Sequence, residues 1–222
     1  MIFMLCYPLL GGDPLIFEQL SVGTMDNYVY LVGDPKTRDG FVVDPAFDAE
    51  KILEAARRLK VNLNRIVLTH DHYDHVNAAM MVKAKTGAKI LAHPTCEQRL
   101  RGTVTVDGPL NDGDEFTLEG GQKIRVIHTP GHTPGGICLI VDDKWLITGD
   151  TLFVGNCGRT DLPGGSPREL FGSLSKLKAL PEQLLVMPGH NYGPAPSRVL
   201  KDEKRLNPAM AADSFEAFDA LP

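Results

Sequence analysis

The chain has 222 residues, room for one large domain or two small ones, and its 43% hydrophobic and 23% charged residues argue against disorder and against a membrane protein. A net charge of −5 without a long basic run speaks against nucleic acid or an anionic membrane as partner. The four cysteines, Cys6, Cys96, Cys138 and Cys157, are widely spaced and form no C-x-x-C pair, which speaks against a disulfide framework and for a reducing compartment such as the cytoplasm.

Met1–Leu10 is apolar but short, with neither a basic start nor a small-residue cleavage pattern. We expect a segment packed on the domain rather than a signal peptide or a membrane span. Strands are predicted at Leu15–Leu20, Asn27–Val32 and Gly40–Val43, between turn signals such as Gly33-Asp34-Pro35 and Asp39-Gly40. Asp48 is the expected cap of a helix over Asp48–Lys60, where Ile52, Leu53, Ala56 and Leu59 recur with helical period. Arg65–Thr69 reads as a buried strand, Asn77–Thr86 as a helix ended by Gly87, and Lys89–Ala92 as a short strand. Arg99–Pro109 is polar and irregular and reads as a mobile surface loop. Two hairpins follow, Phe116–Leu118 with Lys123–Ile127, and Gly136–Val141 with Trp145–Thr148. Pro167 introduces a helix over Arg168–Leu180, Leu184–Met187 is a strand, and Ser197–Leu206 a last helix. No Pro/Ser linker or fixed-period repeat divides the chain, so residues 1–222 are expected to form a single domain of mixed sheets covered by helices.

The strand Arg65–Thr69 runs into His70-Asp71-His72-Tyr73-Asp74-His75, an H-x-H-x-D-H pattern. Residues two apart leaving a strand point to the same side, so His70 and His72 can share a metal. A helix starting near Asp74 would set Asp74 and His75 beside them. Four nitrogen or carboxylate donors in six residues are a strong metal signal. Three weaker signals follow strand ends: His132 in Pro130-Gly131-His132-Thr133-Pro134-Gly135, Asp150 in Thr148-Gly149-Asp150-Thr151, and His190 in Gly189-His190-Asn191-Tyr192. Together they bring one donor from each of several strand ends toward one sheet edge.

These four motifs, in this order, resemble those of the metallo-β-lactamase superfamily, and the likeness runs from about Phe17 to about Pro208. It implies an α/β (α+β) fold, a four-layer αββα sandwich, with a dinuclear site at one edge. By that resemblance His70, His72 and His132 would hold a first metal, and Asp74, His75 and His190 a second. Asp150 would bridge them, and Asp74 and Asp150 would take part in catalysis. Two divalent ions, zinc, iron or manganese, would share a water whose pKa falls from 15.7 toward ~7 and polarise a carbonyl. His93 and His128 match no ligand position and read as structural.

Met25–Val32, Gly149–Phe153 and Cys157-Gly158-Arg159 look like glyoxalase II-type thioesterases, or hydroxyacylglutathione hydrolases. The resemblance implies attack of a metal-bound hydroxide on a thioester carbonyl. It also implies contacts from Arg159 and Tyr192 to the thiol moiety of a small-molecule conjugate, glutathione-derived in those relatives. On the residues alone, Arg159 has a loop ion pair with Asp161 as its alternative, and Tyr192 has packing at the pocket rim. Cys157 has no base placed beside it and reads as packed rather than nucleophilic. A second branch competes. Cys157–Asp161 and the tail Glu203–Pro208 resemble persulfide dioxygenases, in which one Fe(II) on His70, His132 and Asp150 would act on glutathione persulfide. A homodimer is compatible with either branch.

Overall fold

The computed structural model describes residues 15–221, so the expectation for Met1–Leu10 lies outside them. β1 (Ile16–Val22), β2 (Asn27–Gly33), β3 (Asp39–Val43), β4 (Asn62–Val67), β5 (Lys89–Ala92) and β6 (Gly108–Pro109) form one sheet in that order. It is antiparallel from β1 to β3 and parallel from β3 to β6. The second sheet contains β7 (Glu115–Thr117), β8 (Lys123–His128), β9 (Ile137–Val141) and β10 (Trp145–Gly149). A separate hairpin, β11 (Leu152–Phe153) with β12 (Asn156–Cys157), precedes its remaining strands, β13 (Leu185–Pro188) and β14 (Arg198–Val199). The strand order is β14-β13-β10-β9-β8-β7, with β10 and β13 parallel.

Side chains alternate along these strands, and the alternation sorts them into three cores. On β2, Tyr28, Tyr30 and Val32 face the second sheet, while Val29 and Leu31 face helices. On β9, Ile137, Leu139 and Val141 face inward, while Cys138 and Ile140 face the other helical layer. Phe17 of β1 stacks on Trp145 of β10 at 4.5 Å between ring centroids, joining the sheets. α1 (Ala49–Leu59), α2 (Tyr73–Val76), α3 (Ala79–Thr86) and α4 (Pro94–Arg99) cover the first sheet. α5 (Pro167–Lys178), α6 (Leu200–Leu206), α7 (Pro208–Ala211) and α8 (Phe215–Asp219) cover the second. The result is the expected αββα sandwich.

Local chemistry explains the helix ends. The Asp48 carboxylate accepts the Lys51 N–H, and Lys60 closes α1 in the left-handed region with φ +56°. Ser166 caps α5 by accepting the Glu169 N–H, with Pro167 in its first turn. Leu170, Leu174 and Leu177 form its buried stripe.

Several boundaries differ from expectation. The predicted helix over Asn77–Thr86 is α3 and starts two residues later, separated from the short α2 before it, with the Ala78 N–H bonded to Pro45 O instead of to a helix carbonyl. The predicted loop Arg99–Pro109 follows a helix, α4, capped by His93, and it is anchored: Leu100 and Val104 are buried and β6 pairs with β5. The helix expected over Ser197–Leu206 starts at Leu200, because Arg198 and Val199 pair with β13 instead, and it is not the last, since α7 and α8 follow with their own caps at Asn207 and Ser214. The described residues place β4, β8, β10 and β13 so that the loops after their C-terminal ends meet at one edge.

Candidate metal centre

All seven donor residues named from the sequence meet at that edge. Two cross-sheet backbone hydrogen bonds close the two sheets there, from Ile137 N–H to Thr69 O and from Tyr28 N–H to Gly189 O, each 2.8 Å. The donor atoms of His70, His72 and His132 lie within 4.8 Å of one another, and so do those of Asp74, His75 and His190. The Asp150 carboxylate lies between the two groups. Its Oδ2 is 3.5 Å from His132 Nε2 and 3.3 Å from His190 Nε2, and its Oδ1 is 3.4 Å from His75 Nε2.

Hydrogen bonds set the ring tautomers. His190 Nδ1–H donates to Met25 O at 2.8 Å, and His132 Nδ1–H donates to Arg159 O at 2.7 Å. A carbonyl can only accept, so both rings carry their proton on Nδ1 and present the Nε2 lone pair to the centre. Asp44 was absent from the sequence-derived set, yet it organises the other half. Its Oδ1 accepts the Thr69 N–H at 2.7 Å, and its Oδ2 accepts the Thr69 hydroxyl. Thr69 Oγ1 thereby spends its only proton, and His70 Nδ1–H donates to it at 3.0 Å. His75 Nδ1 stands 3.3 Å from Asp44 Oδ2. Asn27 was missed as well: its Nδ2 donates to Asp74 Oδ2 at 2.9 Å. Asp44-Pro45 after a buried strand was the available signal for Asp44. Asn27 is the first residue of β2 and carried no signal of its own.

Glycines let the backbone approach. A Cβ on Gly189 would lie 2.2 Å from Asp150 Oδ1, and Gly149 holds φ +46° with Thr69 against it.

These residues fit a divalent metal. His70 Nε2 and Asp150 Oδ1 are buried polar atoms without a hydrogen-bond partner, an arrangement that costs free energy unless a cation accepts the lone pairs. His132 Nε2 and His72 Nδ1 face each other at 2.9 Å, as do His75 Nε2 and His190 Nε2, so each pair needs either one shared proton or one shared cation between its nitrogens. Burial holds the His70 imidazole well below its usual range and lowers His72, favouring the neutral form that ligates. Burial works against a charge on His75 too, yet Asp150 and Asp44 outweigh it and raise its pKa well above the usual range. The field that retains a proton there also retains a metal cation. Burial likewise opposes charge on Asp150, but His75, His190 and His70 around it hold its carboxyl well below the carboxylate range.

The centre opens into a cleft of about 340 Å³. Met25, Phe153 and Tyr192 line one part, and Cys157, Arg159 and Leu162 another. Tyr192 is exposed and stacks on His190 at 4.3 Å with planes 10° apart, so the packing alternative holds together with its place on the cleft. Burial and the Asp150 and Asp74 carboxylates raise its hydroxyl pKa, which keeps it a neutral donor. Arg159 lines the cleft but makes a two-pronged bond to Asp161, both contacts 2.6 Å. Burial pushes the Cys157 thiol up to about 11, out of nucleophilic range at neutral pH. Away from the centre, His93 and His128 stack at 4.1 Å with rings nearly parallel, and His128 Nε2–H donates to Pro134 O. Asp71 accepts from Arg99, which also donates to Pro163 O, and Tyr73 is exposed.

Residues 22–190 match the family model for the metallo-beta-lactamase superfamily. The chain belongs to the metallo-β-lactamase superfamily. Among curated members, a probable polyketide biosynthesis zinc-dependent hydrolase, BaeB of Bacillus velezensis, is 34% identical over 86% of this chain and 85% of its own length. A hydroxyacylglutathione hydrolase of Rhodospirillum rubrum is 42% identical over 80% of this chain and 67% of its own. Among solved members of the superfamily, ETHE1 from Myxococcus xanthus superposes with a TM-score of 0.82 at 32% identity, over 93% of this chain and 92% of that one. A di-iron-bound protein, TTHA1623, superposes with a TM-score of 0.75 at 30% identity, over 86% of this chain and 98% of that one. This member of the superfamily is a metallo-hydrolase of the glyoxalase II-like and persulfide dioxygenase-like branch, built for divalent metals.

Proposed function

We propose that this chain, read as a single domain over residues 1–222, hydrolyses thioesters of a low-molecular-weight thiol in the cytoplasm, with glutathione as the first candidate carrier. The observation that supports the reading best is the pair of three-donor clusters joined by Asp150 at the floor of an open cleft. His70, His72 and His132 would hold one divalent ion, and Asp74, His75 and His190 a second, with Asp150 between. Bound there, the ions would acidify a water and polarise the thioester carbonyl.

The chain's own residues do the rest. Met25, Phe153 and Tyr192 exclude bulk water from one side of the cleft and position the substrate. Asp74 and Asp150 accept hydrogen bonds from the attacking water and aim it. Arg159 and the Tyr192 hydroxyl are the groups that meet the thiol carrier. The leaving thiolate has a pKa near 8.5, so it departs with little protonation and the cleft needs no dedicated acid. The 42% identity to a hydroxyacylglutathione hydrolase supports this reading.

One observation favours a second reading, a persulfide dioxygenase with a single Fe(II) on His70, His132 and Asp150. The match to ETHE1 covers 92% of that chain, against 67% of the Rhodospirillum hydrolase. Oxygen uptake separates the two. Hydrolysis of an acyl-glutathione without oxygen consumption on glutathione persulfide supports the hydrolase. One iron per chain with rapid oxygen consumption overturns it.

A further inference from the structure

The segment E-K-R-L-N-P (203–208) takes no part in the centre described above, yet Glu203 and Asn207 are wholly buried. Such burial is unusual for a carboxylate and an amide, and it requires partners. Glu203 Oε1 pairs with the Arg198 guanidinium at 3.0 Å. Glu203 Oε2 accepts the Gly155 N–H and the Asn207 amide, each at 2.9 Å. The second hydrogen of Asn207 Nδ2 is shared between the carbonyls of Asn156, at 2.9 Å, and Phe153, at 3.2 Å. Its Oδ1 accepts the Ala209 N–H at the start of α7.

Three of these four backbone groups, the Gly155 N–H and the Phe153 and Asn156 carbonyls, belong to the β11–β12 hairpin. That hairpin pairs only at Leu152↔Cys157 and Phe153↔Asn156, too few positions for it to keep its shape alone. It supplies Phe153, Asn156 and Cys157 to the wall of the cleft. The Phe153 ring also meets His190 and Tyr192 edge-on, at 5.9 and 5.5 Å between centroids. Beside the Thr148 hydroxyl, which donates to Leu152 O at 2.6 Å, two side chains that touch none of the metal donors thus hold the hairpin from behind.

We propose that Glu203 and Asn207 are positioning residues of the substrate cleft: their buried hydrogen bonds hold the 152–157 hairpin at the depth that substrate binding requires. The proposal rests on reading that cleft as the substrate site. A role confined to capping α7 and stabilising the fold would leave KM unchanged in protein that remains folded.

The test compares Asn207→Ala with wild type, measuring kcat and KM on an acyl-glutathione, bound metal, and amide hydrogen exchange. Losing the buried amide should raise KM about 10-fold, with kcat within about twofold and metal content unchanged. Exchange over residues 152–157, led by the Gly155 amide, should quicken about 10-fold while β10 keeps wild-type protection. Unchanged KM and exchange would overturn the proposal, as would loss of kcat and metal at constant KM. Should Asn207→Ala fail to fold, Glu203→Gln decides on the same readouts. It keeps an acceptor for Gly155 but leaves Arg198 without its charge partner, so a smaller rise in KM, about threefold, is expected, and no rise contradicts the proposal. Should wild type cleave no thioester, the hydrolase reading fails, and the exchange measurement alone decides whether the brace exists.

Discussion

The Asp44 carboxylate receives the backbone N–H of Thr69 at 2.7 Å and also its hydroxyl, so the residue preceding the first metal donor is clamped from both sides. Through that hydroxyl Asp44 orients His70, and directly it faces His75. One buried carboxylate thus supports a donor of each cluster.

Replacing Asp44 should therefore act through metal affinity. Groups that orient metal ligands typically contribute 10–100-fold to affinity or activity. Asp44→Ala is expected to weaken metal binding by about that factor, read by titration against a chromophoric chelator, with activity restored at high metal concentration. Wild-type affinity in the variant would mean that Thr69 and His75 hold their places without it.

Asp150 carries a heavier burden, since it approaches His132, His190 and His75 at once. Asp150→Ala should abolish activity under either proposed reaction and leave the histidines short of a counter-charge. Metal analysis of the purified variant should show reduced content. Full activity would refute the site assignment.

Arg159 and Asp161 form an exposed two-pronged pair at the mouth of the cleft, and the Arg159 hydrogen bonds hold the Asp161 carboxyl down to about 2. A substrate carboxylate must compete with Asp161 for that guanidinium. Exposed pairs are weak, so Asp161→Asn should lower KM for an acyl-glutathione by about 2–5-fold and leave an uncharged thioester unaffected. A higher KM would show instead that Asp161 holds Arg159 in its binding pose.

Acid stability should depend on the edge opposite the centre. Burial opposes charge on Asp34, but the Thr37 and Lys36 N–H groups and the Gln122 amide outweigh it and lower its pKa. Burial opposes charge on Asp39 as well, and Asn64, the Glu119 N–H and Arg65 outweigh it. A carboxyl with a lowered folded pKa contributes stability above the unfolded value of about 3.9, and that contribution disappears as pH falls through the folded pKa. Chemical denaturation of Asp39→Asn should show lower stability at pH 7 and a shallower acid decline than wild type. Parallel curves would mean that Asp39 titrates alike in both states.

Legibility in the sequence followed how local each feature is. His70, His72, Asp74 and His75 lie in one six-residue run, and His132, Asp150 and His190 each sit in a Gly- or Pro-marked turn after an apolar strand, so pattern alone reached them. Asp44 and Asn27 act across 25 and 47 residues of sequence, and no spacing rule connects them to their partners. The residues alone reached mixed sheets covered by helices, while the four-layer sandwich was implied by the resemblance, since continuous apolar runs such as β2 and β9, buried on both faces, do not say which face meets which layer. Short elements were lost where one side chain decides. Ser214 starts α8 by accepting the Ala217 N–H, and Asn207 starts α7 while holding a hairpin 51 residues away.

The central claim is a thioester hydrolase built on two divalent ions joined by Asp150. Titrating metal-stripped protein with zinc while following thiol release from an acyl-glutathione tests it most directly. The account predicts that hydrolysis rises until two equivalents are bound and then levels off. Full activity at one equivalent, or none with two bound, would contradict it.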